Sequence, residues 1–182
     1  MSRLGYLLLS LAAAAGAASA PSIKSVSHSG PACPQDARVT WSGDLDDLTI
    51  TLPDFGETLA AGQMTSCQVH VLVDGGETGR ALVLQDVVVR GGLYLSANAK
   101  ADFYTTAYCT ASGPGAVALN VAVSQQVSTP STCVGADGYV GILNVTFRII
   151  SKAGSRIIFG REHREGGTFP VTEEFTFKWQ GC

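Results

Sequence analysis

Apolar and polar residues alternate one for one through much of this chain, and that period of two restricts its fold more than any other feature. Val69, Val71 and Val73 oppose Gln68, His70 and Asp74, and Val117, Leu119, Val121 and Val123 oppose Ala118, Asn120, Ala122 and Ser124. Tyr139, Leu143, Val145, Phe147 and Ile149 oppose Asn144, Thr146 and Arg148, while Phe175, Phe177 and Trp179 oppose Glu174, Thr176 and Lys178. Successive side chains of a strand point to opposite faces, so each pattern describes a strand with one buried face. Residues 81–89 are apolar on both parities, which predicts a central strand covered on both sides. Ser29-Gly30-Pro31, Ser42-Gly43-Asp44, Asp74-Gly75-Gly76, Gly91-Gly92 and Gly166-Gly167 read as turns. No segment after residue 20 carries a helical apolar stripe. The pattern predicts a single all-β domain, an antiparallel β-sandwich, with a barrel as second choice.

The first residues have a different character. Ser2-Arg3 precedes an apolar stretch from Leu4 to Ala15, followed by small residues through Ala20. Positive start, apolar run and small-residue exit describe a secretory signal peptide, here residues 1–18, with the domain over 19–182. The run is shorter than the ~20 residues of a membrane span, and no second one occurs. A soluble, extracellular mature protein is therefore expected. Of the whole chain, 46% is hydrophobic and 15% charged, which excludes a disordered tail. The net charge is −3, and losing Arg3 with the leader takes it to −4, so no basic excess is present to bind nucleic acid.

Five cysteines, Cys33, Cys67, Cys109, Cys133 and Cys182, all lie beyond the leader. Gaps of tens of residues do not suit zinc, which prefers close pairs, and an oxidising compartment favours disulfides. An odd count leaves one over, and four cysteines allow three connectivities, so pairing stays open at this point.

Ala32-Cys33-Pro34, Ser66-Cys67-Gln68, Thr132-Cys133 and the closing Trp179-Gln180-Gly181-Cys182 occur in that order, with Leu143-Asn144-Val145 between the last two. Together with the stretch from Gly79 to Tyr108, they resemble the family of small secreted proteins catalogued as domain of unknown function 4360, common in filamentous fungi. Family members commonly show Gly-Cys-Pro and Asn-Cys-Gln, where this chain has Ala-Cys-Pro and Ser-Cys-Gln. Cys109 stands outside the family pattern. The resemblance thus implies that Cys33, Cys67, Cys133 and Cys182 are the paired set and Cys109 the odd thiol. It implies a secreted β-sandwich and supplies no mechanism.

Catalytic motifs are thin. There is no H-E-x-x-H, no histidine pair at ligand spacing and no G-x-S-x-G, so neither metal nor cofactor is expected. Ser29 beside His28 is adjacent in sequence only, and catalytic partners meet through the fold. Asp44, Asp46 and Asp47 lack the ligand and glycine positions of a calcium loop and read as a turn into residues 48–52. Glu173 shares strand parity with Phe175, Phe177 and Trp179, where burial would raise its pKa. Pro170 and Thr172 mark a strand rim, however, and place Glu173 in water. Tyr94, Tyr104 and Tyr108 share parity with polar residues and form a candidate outward binding surface. Asn144-Val145-Thr146 is an N-glycosylation sequon, and strand parity turns Asn144 outward.

The expectation is a secreted, disulfide-bonded, non-catalytic β-sandwich that binds a partner such as cell-wall polysaccharide or an extracellular protein. The alternatives are a glycan-active hydrolase or lyase using Glu173, His70 or Asp86, and a pocket protein for a lipid or secondary metabolite.

Overall fold

A computed structural model describes residues 20–105, 108–112, 117–152 and 154–182. The expected signal peptide, residues 1–18, lies outside them. In chain order the strands are β1 (Ser22–Ser29), β2 (Thr40–Ser42), β3 (Thr49–Leu52), β4 (Glu57–Leu59), β5 (Met64–Asp74), β6 (Arg80–Leu95) and β7 (Lys100–Thr105). There follow β8 (Tyr108–Ser112), β9 (Val117–Pro130), β10 (Tyr139–Ser151), β11 (Ile157–Gly160), β12 (Glu162–Arg164), β13 (Gly167–Phe169) and β14 (Val171–Gly181). Among the described residues there is no helix.

One sheet runs β1-β5-β10-β7-β8. The other runs β2-β3-β14-β6-β11-β4, with β9 on the opposite edge of β6. All pairings are antiparallel and neither sheet closes into a barrel, so the architecture is a sandwich. Val69, Val71, Val73, Phe147 and Ile149 of the first sheet meet Ile50, Leu52, Val87, Val89 and Phe175 of the second in one core. Phe55, Phe103, Phe147 and Phe159 cluster there with ring centroids 5.4–6.5 Å apart, the spacing aromatic pairs favour.

β6 is the long central strand, held by β14 and β11 on one side and β9 on the other. Its apolar residues on both parities have two causes. Ala81 to Leu84 are buried on both faces. Beyond them a bulge at Gln85, where Thr176 pairs with Asp86 and Phe177 with Leu84, switches the inward parity from Leu82 and Leu84 to Val87 and Val89. A second bulge, between Tyr139 and Gly141, moves Tyr139 off the face of Leu143: Val140 is buried instead, and Tyr139 is exposed.

Gly91-Gly92 is not a turn. It lies inside β6, and a Cβ at Gly91 would sit 2.6 Å from the Phe159 ring, so glycine here admits a close neighbour.

Candidate functional site

Disulfides join Cys33 to Cys67 and Cys133 to Cys182. The first anchors the turn after β1 to β5. The second ties the segment after β9 to the last residue of the chain. Cys109 falls in β8 opposite Phe103, and its side chain lies outside the described residues.

Between β10 and the end of β9 lies a cavity of about 410 Å³. Its wall is mainly apolar, with Val73, Leu82, Leu84, Val140, Leu143 and Phe177 among the lining residues, and Ser131, Thr132 and Asn144 are its polar groups. The cavity follows from strand lengths. β7 pairs with β10 only over Phe147–Ser151, so among the described residues no strand covers that side of β10 from Tyr139 to Thr146. The mouth of the sandwich is left open there.

On the outer face of the five-stranded sheet, β5 carries His70 between β1 and β10. Ser27 and Asn144 are its direct cross-strand neighbours. Ser29 Oγ lies 3.0 Å from His70 Nε2, and Asn144 Oδ1 contacts His70 Nδ1. Asn144 Nδ2 donates to Ile142 O at 3.4 Å, which fixes the orientation of the amide. With Oδ1 as acceptor, Nδ1 carries the imidazole proton, and the lone pair of Nε2 faces the Ser29 hydroxyl. Gly30, directly after Ser29, has φ +135° and would place a Cβ 2.5 Å from Ser66 O, so the chain must turn here through glycine. Sequence reasoning passed over this trio because its members lie 41 and 74 positions apart. The only local signal was their shared outward parity.

Glu173 contradicts the expectation of a solvated rim. It is fully buried, because β14 is flanked at this position on both sides: Glu173 pairs with Ile50 of β3 and Val89 of β6. Among the described residues neither carboxyl oxygen has a hydrogen-bond partner, and burial raises its pKa to about 8. It is therefore a neutral acid at physiological pH. Glu173, His70 and Asp86 are not brought together. Glu173 faces the core, His70 the outside of one sheet, and Asp86 a shallow hollow with Gln126 and Lys178 on the other.

The three tyrosines are divided as well. Tyr94, 41% exposed, stands on β6 beside exposed Ile158 of β11. Tyr104 is on β7 of the other sheet, paired with Tyr108, whose side chain lies outside the described residues. The Tyr104 hydroxyl donates to Asp102 Oδ2 at 3.4 Å, and Lys152 forms an ion pair with the same buried carboxylate. Asp44 and Asp47 accept backbone N–H bonds within the turn before β3, as turn residues do. Among the described residues no group of three or more His, Cys, Asp or Glu side chains is placed to hold a metal ion. No helix there is long and apolar enough to cross a membrane.

Fold and bridges together define a disulfide-bonded β-sandwich protein. The sequence of residues 19–182 matches the family described as Domain of unknown function (DUF4360), and the chain belongs to that family. No curated protein matches it.

Proposed function

We propose that this is a secreted protein, released from a signal peptide at residues 1–18, whose role is to bind a small apolar or amphipathic molecule at the open end of its sandwich. The cavity between β10 and β9 carries this reading. Its volume of about 410 Å³ falls in the range of small-molecule sites, and its mostly apolar wall with a few hydroxyl and amide groups is the usual lining of one. The two disulfides suit an extracellular address. Such a ligand would be a lipid fragment or a secondary metabolite.

Titration with 11-dansylaminoundecanoic acid tests the reading. Saturable one-to-one binding that is lost in a folded Leu143→Trp variant, which fills the cavity, is the expected result. Absence of saturable binding, or binding indifferent to that substitution, sinks it.

A second reading rests on Tyr94 and Ile158, an exposed apolar pair on the outside of the seven-stranded sheet. An aromatic ring there can stack on a sugar of a wall polysaccharide or against an extracellular protein. Depletion of the protein by insoluble chitin, β-glucan or cellulose, abolished by Tyr94→Ala, would support this. Equal depletion by that variant would exclude Tyr94.

A further inference from the structure

We propose that Ser29, His70 and Asn144 form a hydrolytic site for esters of small acyl groups carried on larger molecules. Ser29 and His70, which carry the chemistry, do not line the cavity, whereas Asn144 borders it; Ser29→Ala and His70→Ala therefore test hydrolysis, and Leu143→Trp tests binding, separately.

The geometry assigns one role to each residue. Ser29 Oγ, 3.0 Å from His70 Nε2, is within reach of proton transfer to that nitrogen. His70 is the base. Asn144 is a positioning residue: its Oδ1 accepts from Nδ1 and holds the tautomer that leaves Nε2 free to receive the serine proton. Nucleophile, base and orienter in hydrogen-bond contact are the arrangement that activates a hydroxyl. The three stand on adjacent paired strands, and β1 is fixed by the Cys33–Cys67 bridge four residues beyond Ser29, so the spacing is held by the sheet. Gln68 lies directly opposite Ser29 in the β1–β5 pair, and its carboxamide has no side-chain hydrogen bond among the described residues. Its N–H is positioned on the same face to donate to a developing oxyanion.

The surroundings set the substrate class. Ser29 and His70 do not line the apolar cavity; the residues nearest Ser29 on this face are Ser27, Gln68 and Thr146, with Leu72 and exposed Ile142 beyond His70 and Asn144. Ser29 and His70 thus border no apolar slot for a long acyl chain, and the open sheet face leaves approach free to a bulky alcohol. An acetyl-sized ester on a large carrier fits both conditions.

In the first step Ser29 Oγ bonds to the ester carbonyl carbon as its proton passes to His70 Nε2. The carbon–oxygen bond to the alcohol breaks, and the departing oxygen takes that proton. Water then gives a proton to His70 and bonds to the same carbon. The Ser29–acyl bond breaks, Ser29 recovers its proton from His70, and the carboxylic acid leaves.

The test pairs hydrolysis of p-nitrophenyl acetate with labelling by a fluorophosphonate and mass mapping of the adduct. The secreted protein should turn over the ester about 100-fold or more faster than Ser29→Ala, and the adduct should sit on Ser29. His70→Ala should lose both activities. Asn144→Ala should lose most of the rate and Asn144→Asp, which keeps an acceptor toward Nδ1, should restore it. Protein made in a host that adds no N-glycan keeps Asn144 bare, and it should retain full rate. The proposal is overturned if wild type, with or without the glycan, is no faster than Ser29→Ala, if the adduct maps elsewhere, or if His70→Ala is as active as wild type. Equal loss in both Asn144 variants overturns the role given to Asn144.

Discussion

Cys182 is bonded to Cys133, and Cys133 directly follows Thr132 on the wall of the apolar cavity. The last residue of the chain thus pins one side of the proposed binding site. Ser131 N–H also bonds to Leu82 O, and Val134 N–H to Arg80 O, so the segment is held by backbone contacts next to the bridge. Cys182→Ser should leave the sandwich folded but lower its stability by about 2–4 kcal/mol, as loss of a native bridge does. It should also weaken dansylaminoundecanoate binding, because Pro130 to Thr132 are then held by their hydrogen bonds to β6 alone. Urea unfolding alongside the same titration checks both effects. Unchanged affinity in the variant would show that the bridge stabilises the fold without shaping the cavity.

Gly91 faces the core from the middle of β6 with the Phe159 ring against its backbone. A Cβ at 2.6 Å from Phe159 Cζ cannot be accommodated without moving a ring that is itself packed on Phe55, Phe103 and Phe147. Gly91→Ala should therefore destabilise by about 1–3 kcal/mol, the usual range for overpacking, although alanine has the better strand propensity. The urea midpoint should fall with little change in slope. A midpoint equal to wild type would mean that the aromatic cluster yields more easily than its packing implies.

The sorting of side chains into two faces was legible in the sequence wherever a strand runs without interruption. Val69, Val71 and Val73 are all buried, as are Val145, Phe147 and Ile149. Parity fails at the bulges, because one extra residue reverses every later assignment and leaves no mark in a local count. That is why simple parity puts Tyr139 on the wrong face and why residues 81–89 read as apolar on both parities. Glu173 was misplaced for a different reason. Pro170 and Thr172 describe the local chain, whereas burial at Glu173 comes from Ile50 and Val89, more than eighty positions away along the sequence. The Ser29–His70–Asn144 arrangement was illegible for the same cause: it depends on β5 lying between β1 and β10, and strand order is not written in any one segment.

Asn144 is exposed on β10, and among the described residues its Nδ2 makes only the long bond to Ile142 O. A glycan is attached through Nδ2, which leaves Oδ1 free to keep its contact with His70. Glycosylation and the His70 bond are therefore compatible. Protein from a eukaryotic secretory host should carry excess mass that N-glycosidase removes and that Thr146→Ala never acquires. Intact-mass measurement decides it. A bare polypeptide mass would mean that the strand folds before the sequon is modified.

Glu173 and Glu174 are neighbours on β14 with opposite energetics. Glu174 makes a two-point ion pair with Arg90 at 2.8 and 3.1 Å, but both side chains are well exposed, 39% and 44%, so the pair contributes at most about 1 kcal/mol. Glu174→Gln should leave the urea midpoint nearly unchanged. Glu173 is buried with no hydrogen-bond partner among the described residues, and its pKa is raised to about 8 in the folded protein against an ordinary value near 4.5. Between those two values the native state holds a proton that the unfolded chain has released. Stability must therefore fall as pH rises from about 4.5 to 8, by up to about tenfold in the folding constant per pH unit from this one group, and then level off. Glu173→Met replaces the acid with an apolar chain of similar length and leaves no orphaned polar atoms. It should raise the urea midpoint at pH 8 more than at pH 5 and flatten the profile between them. If wild type and Glu173→Met instead show parallel profiles over that range, Glu173 does not hold a proton in the fold.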